Sequence, residues 1–259
     1  MDLNFEAVEQ LNKILVKDLK REECKRMSVG NRVFLKRELP GQNIIEGFKT
    51  IPAANVADCM GRLSALSSEI KLMSNPNNGI MVGVALTVKA RPGDNLLLHK
   101  ALNMASEGDV IIVSNEGDRT QALMGEIMVS YAEHTKKIAG LVLDGPIRDI
   151  NEISKMTIPV YATGTTPGGP YKEGPGEINV PIACGGIHVS PGDIILGDSD
   201  GVIVIPKNDA SQILKDAQIV SANDHKKLQE AIDGSANRDW VDETLMKKNC
   251  SIIDDLYKS

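Results

Sequence analysis

The chain has 259 residues, 42% hydrophobic and 25% charged, with a net charge of −6, enough for one large domain with a substantial core and helical appendages. The acidic balance disfavours nucleic acid, whose phosphates need a basic face, and no apolar run approaches the ~20 residues that cross a bilayer. Residues 1–6 show neither the basic nor the apolar region of a secretory signal, and Cys24, Cys59, Cys184 and Cys250 form no CxxC pair, so a cytoplasmic protein with reduced thiols is expected.

Aromatic residues make up only 3% of the chain, so the core must rest on aliphatic side chains. Phe5, Val8, Leu11, Leu15 and Leu19 recur at helical spacing and predict an amphipathic helix over 3–27 that packs on a partner surface. Residues 28–50 are polar, contain Pro40-Gly41 and read as a connector. A helix over 52–62 and a Val/Ile/Thr-rich strand over 79–90 follow. Asp94-Asn95 caps a helix over 96–105, 109–114 is a short buried strand, 120–136 a helix, and 138–143 and 159–163 are strands. Strands alternating with helices predict an α/β middle. Residues 164–176, with five Gly and three Pro, form a turn-rich loop. Short strands over 178–183, 187–189, 193–196 and 202–205 read as an antiparallel run, and helices over 207–233 and 239–248 complete the chain.

One constellation carries chemistry. The apolar run 138–143 ends in Asp144-Gly145-Pro146-Ile147-Arg148-Asp149. A strand cannot bury such an Arg-Asp pair, because each unpartnered charge costs several kcal/mol. At the strand's carboxyl end both can face a crevice, where an Asp can hold a hard divalent cation and an Arg can clamp a carboxylate or enolate. Gly125-Glu126-Ile127-Met128 opens the preceding helix, whose start lies at the same sheet edge as the end of the following strand. Glu126, the free amides of Ile127 and Met128, Arg148 and Asp149 can therefore converge, which suggests work on a small oxo-acid. A second reading stays open: Asp149 as no more than the cap of a helix over 150–155, salt-bridged to Arg148.

Other motifs favour structural roles. His99 has no second His or Cys at zinc-ligand spacing and reads as a helix side chain. Residues 197–201 resemble a scrap of a calcium loop but lack its downstream Glu, so a hairpin turn is expected. The Gly-rich loop fits neither GxGxxG nor GxxxxGK[ST], which argues against nucleotide binding and against methyl transfer from a nucleotide donor. Cys59 and Cys184 read as small buried residues.

The stretches Pro92 to Leu102, Gly125-Glu126, Gly140 to Asp149, Asn179 to Ile182 and Pro191 to Val202 together resemble the RraA-like family, and more narrowly its 4-hydroxy-4-methyl-2-oxoglutarate (HMG/CHA) aldolases. The resemblance covers residues 50–207. It implies a swivelling β/β/α fold as residues 46–207, with an N-terminal helical extension (1–45) and C-terminal helices (208–259). It also implies a homotrimer or hexamer with sites near subunit interfaces. Carried over residue by residue, Asp149 would bind Mg²⁺ or Mn²⁺ and Arg148 would contact the pyruvyl group. Gly125, Glu126, Ile127 and Met128 would offer backbone amides to substrate, and Glu126 a carboxylate to the metal's water shell. This chain departs from the resemblance in holding one residue more between Glu126 and Arg148 than the family's usual interval, near 134–137, and in having Glu for Asp at position 126, a side chain one carbon longer. A second branch of the family regulates ribonuclease E and typically lacks the carboxylate after the arginine; Asp149 favours the enzyme. The expectation is a metal-dependent lyase that releases pyruvate from a small 2-oxo acid, with a non-catalytic regulator of ribonuclease E as the alternative.

Overall fold

The computed structural model describes residues 29–77 and 79–257. The helix expected over 3–27 lies outside the described residues. Four parallel strands, β3 (Met81–Ala90), β4 (Asp109–Ser114), β5 (Gly140–Leu143) and β6 (Val160–Ala162), form the centre of a nine-stranded sheet. β4, β5 and β6 are buried at every position, as expected for parallel strands covered on both faces. Leu86, Ile111 and Leu141 point to one face, where α3 (Leu96–Met104) and α4 (Glu126–Ser130) pack; Ala85, Ile112, Val142 and Tyr161 point to the other. Burying each large aliphatic side chain stabilises the fold by about 1.5–3 kcal/mol.

β3 organises the rest. One edge pairs with β4 from Val84 to Lys89. The other edge is shared by two antiparallel neighbours, β10 (Ile194–Asp198) along its first half and β7 (Gly176–Ile178) along its second. β7 also pairs with β1 (Asn31–Val33), and β10 with β11 (Gly201–Ile205). At the far side β6 pairs with β2 (Lys71–Leu72), and β8 (Ile182–Cys184) with β9 (Ile187–Val189) forms a separate two-stranded sheet. Helices α1 (Gln42–Phe48), α2 (Ala53–Cys59) and α6 (Ala210–Ile232) enclose a third cluster with β10 and β11, centred on Phe48, Val56, Leu196 and Ile205. A short α5 (Ile150–Ile153) follows β5, and α7 (Trp240–Lys247) follows α6. No described helix is long and apolar enough to cross a membrane.

Several expectations need correcting. The connector over 28–50 contains β1 and α1, so the stretch read as a helical extension also contributes an edge strand. Its polar residues are used structurally, Arg32 pairing with Glu177 and Arg37 with Asp109. The strand over 178–183 is interrupted at Asn179, which adopts φ 55° and turns its side-chain amide onto the Phe34 carbonyl at 2.8 Å. The helix over 120–136 begins only at Glu126, because residues 120–122 are held against the Gly-rich loop, Ala122 N–H donating to Gly168 O at 2.8 Å. From Tyr131 to Lys136 that helix widens into a π turn ending at Lys137, φ 52°. A π turn takes one residue more per hydrogen-bonded ring than an α turn.

Gly83 marks a close approach of backbone within the sheet. A Cβ there would lie 2.5 Å from Gly108 O and 2.8 Å from Val110 Cγ2 and Ala139 Cβ. Gly83→Ala should therefore destabilise the protein by about 1–3 kcal/mol, read as a fall in Tm of about 2–4 °C per kcal/mol.

Candidate active site

Arg148 and Asp149 stand where β5 leaves the sheet and α5 begins. Arg148 N–H donates to Met124 O at 3.0 Å, tying this turn to the segment ahead of α4. Ile147, fully buried, bridges Met124 on one side and Thr165 on the other. Its burial anchors the turn, so the following two side chains are presented at the surface, Arg148 at 45% and Asp149 at 43% exposure.

Asp149 occupies the N-cap position of α5 with φ 60°, but its side chain makes no capping bond to that helix. Its Oδ2 accepts the backbone N–H of Glu126 at 3.1 Å, at the start of a different helix. The same oxygen lies 3.7 Å from Arg148 Nε, a contact that contributes little at this exposure. Cap geometry thus does not account for Asp149. Among the described residues, its Oδ1 and the Arg148 Nη groups have no hydrogen-bond partner.

The close approach depends on Gly125. Its backbone is extended (φ −138°, ψ −175°), so strain does not require glycine there; space does. A Cβ would lie 2.3 Å from Asp149 Oδ2 and 3.0 Å from both Cγ and Nε of Arg148.

Glu126, Arg148 and Asp149 line an open pocket of about 600 Å³, together with Ile150, Asn151, Glu152, Thr165, Thr166 and Pro167. The expected amides differ in availability. Met128 N–H turns back onto Gly125 O at 3.1 Å, and its sulfur meets Asn95 Nδ2 at 3.5 Å, so Met128 is committed internally. Ile127 N–H has no backbone partner among the described residues, while its side chain is 83% exposed beside the pocket. Thr165, Thr166 and Asn151 escaped the sequence analysis; the Gly-rich composition marked their region as a loop without revealing which strand end it faces.

Asp94 holds that loop in place. Fully buried, its carboxylate accepts N–H groups from Leu96 (2.9 Å), Glu173 (2.7 Å) and Gly174 (2.8 Å), capping α3 and pinning the loop at once. His99 is partly buried; burial and then the nearby Lys172 lower its pKa below the ordinary imidazole value, leaving it neutral at pH 7. The segment 197–201 is a hairpin turn whose Asp198 accepts Ala53 N–H and Asp200 N–H. Cys184 is fully buried, its thiol pushed up by burial and by Asp144, whereas Cys59 is only partly covered.

A larger hollow of about 1310 Å³ opens at the opposite ends of the parallel strands, beside Met81, Asp109 and Ala139. Its Arg37 and Lys49 are already paired with Asp109 and Glu46. The smaller pocket lies at the carboxyl ends of the strands, where open α/β sheets bind ligands.

This combination of sheet, added antiparallel strands and a strand-end Arg-Asp pair defines a class of α/β proteins. The sequence profile "RraA-like: Aldolase/RraA" matches residues 53–204, and the chain belongs to the RraA-like family. A protein of Halalkalibacterium halodurans named "Putative 4-hydroxy-4-methyl-2-oxoglutarate aldolase" is 43% identical over 182 residues, covering 70% of this chain and 85% of that relative. One of the same name from Bacillus cereus is 35% identical, covering 49% and 78%. The structure also resembles the RNA-processing inhibitor RraA from Thermus thermophilis (TM-score 0.55, 30% identity, 60% of this chain and 92% of that one). RraAS2 of Streptomyces coelicolor, from the RNase ES inhibitor RraA family, gives a TM-score of 0.63 at 27% identity over 75% and 98%.

Gly125→Ala should displace Asp149 and Arg148 without straining the backbone. Pocket-dependent activity is expected to fall at least about tenfold while Tm changes by less than about 2 °C; unchanged activity would refute the packing role given to Gly125.

Proposed function

We propose that this chain is a divalent-metal-dependent class II aldolase cleaving 4-hydroxy-4-methyl-2-oxoglutarate-type substrates to pyruvate, with oxaloacetate decarboxylation as a side activity. The observation that carries this reading is the pairing, in one pocket, of a guanidinium with free donors and a carboxylate with a free oxygen. The names of the aldolase relatives support it.

The donor set suits Mg²⁺ or Mn²⁺. No cluster of three or more His, Cys, Asp or Glu occurs among the described residues, but Mg²⁺ characteristically takes one or two carboxylates and keeps several waters. Asp149 would be the direct ligand, with Glu126 acting on the water shell. When bound there, the cation supplies Lewis-acid polarisation of the substrate's keto group.

The protein's own groups do the rest. Arg148 binds the pyruvyl carboxylate end and stabilises the negative charge that gathers on the keto oxygen. In retro-aldol cleavage Glu126, through water, takes the proton of the 4-hydroxyl. The bond between C3 and C4 then breaks, its electron pair passing into the enolate of pyruvate, which is protonated at C3. Oxaloacetate loses CO₂ to the same enolate, so one site serves both reactions.

Exposed apolar side chains beside the pocket, Ile127 and Tyr131, and on the outer helices, Ile232, Trp240 and Met246, support assembly as a homotrimer or hexamer. Light scattering is expected to give at least a trimer at micromolar concentration; a monomer would remove this part of the reading.

The deciding assay is pyruvate release from oxaloacetate and from 4-hydroxy-4-methyl-2-oxoglutarate, with and without Mg²⁺. Turnover should need the metal. Its absence on both substrates and on related 4-hydroxy-2-oxo acids would favour the regulator of ribonuclease E.

Asp149→Asn tests the metal ligand. Asn tolerates the left-handed backbone and its amide oxygen can still accept the Glu126 N–H, so Tm without metal should hold. Activity should fall by more than the about 10–100-fold usual for supporting residues. Arg148→Lys keeps the charge but loses the fork; turnover should drop strongly while metal affinity is largely kept. Normal turnover in Asp149→Asn would refute the site.

A further inference from the structure

Two glycines stand close to the Arg148 side chain. A Cβ at Gly125 would lie 3.0 Å from its Cγ and Nε, and a Cβ at Gly169 would lie 3.3 Å from its Nη1 and within 4 Å of no other heavy atom. Gly169 does not adopt a left-handed φ, so conformational freedom does not account for it. What a side chain there would disturb is the guanidinium.

The loop carrying Gly169 is anchored both to the turn that carries Arg148 and to the segment ahead of α4. Thr166 N–H donates to Ile147 O at 3.0 Å, Thr165 bridges Ile147, and Ala122 N–H donates to Gly168 O at 2.8 Å. Among the described residues no hydrogen bond orients the guanidinium, and its ion-pair contact is Asp149 Oδ2, 3.7 Å from Nε. The space that the glycines leave therefore bears on where the guanidinium lies.

We propose that Gly169 is a positioning residue, forming with Gly125 a slot that holds the Arg148 guanidinium at the pocket with its Nη donors free for a carboxylate or enolate oxygen. Side-chain size at position 169 then sets how well the site binds its anion. The inference rests on Arg148 being the anion-binding group of the function proposed above.

The test combines Gly169→Ala and Gly169→Val with Arg148→Lys in a double-mutant cycle. Readouts are kcat/KM for oxaloacetate, the pyruvate dissociation constant by calorimetry, and the Arg148 Nε resonance by ¹⁵N NMR. With Arg148 present, pyruvate binding and kcat/KM should weaken about threefold for Ala and about tenfold or more for Val. In the Arg148→Lys background, where Nη1 is missing, the same changes should cost less than about twofold. The Nε resonance should move in Gly169→Ala while Tm stays put. Equal losses in both backgrounds would overturn the proposal, as would wild-type binding with an unmoved Nε resonance. If the unmodified protein turns over neither substrate, the aldolase reading fails, and the Nε resonance alone decides the slot.

Discussion

The burial of β4 and β5 on both faces is the constraint from which the site follows. Every residue of these strands is shielded from solvent, and the one carboxylate within them, Asp109 at the start of β4, is paired with Arg37, so a guanidinium and a carboxylate with atoms open to a ligand stand where the chain leaves the sheet. Asp149 then does work that a simple strand-end charge would not. By accepting the Glu126 N–H it joins the exit of β5 to the entry of α4, bringing two turns that are distant in sequence into one pocket wall.

Shape and electrostatics are divided between different residues. Glycines at 125 and 169 leave room for Arg148, and buried Asp94 fixes the loop that carries Gly169 by accepting two of its backbone amides together with that of Leu96 at the start of α3. Arg148 and Asp149 make few bonds of their own. Groups left unsatisfied but held in place are suited to binding a ligand, since little reorganisation is needed when charge develops.

The relatives include proteins named as aldolases and others named as inhibitors of RNA processing. One fold serves both names, so the fold alone cannot choose between them. The function proposed here rests instead on the pocket's donor set, where a carboxylate oxygen stands open beside the arginine.

Much of this was legible in the sequence. The aliphatic runs 79–90, 109–114 and 138–143 announced strands because continuous Val/Ile/Leu segments can be satisfied only by burial, and the Gly-Pro turn with its Arg-Asp pair announced a strand-end site. Other features had no local signal. β1 is a strand because β7 offers it a hydrogen-bonding edge, while its polar residues suggested a connector. Residues 120–125 have helical composition, but a bond from Ala122 to the Gly-rich loop keeps them out of the helix. Met128 looked like a free helix-start amide until the turn folded it back onto Gly125. The amino-acid sequence by itself determined which segments must be buried and where charge must emerge, since those depend on each residue's own chemistry. Which oxygen Asp149 shares, which amide stays free and which glycine makes room for Arg148 were decided by tertiary structure, because each depends on atoms that only packing brings within a few ångströms.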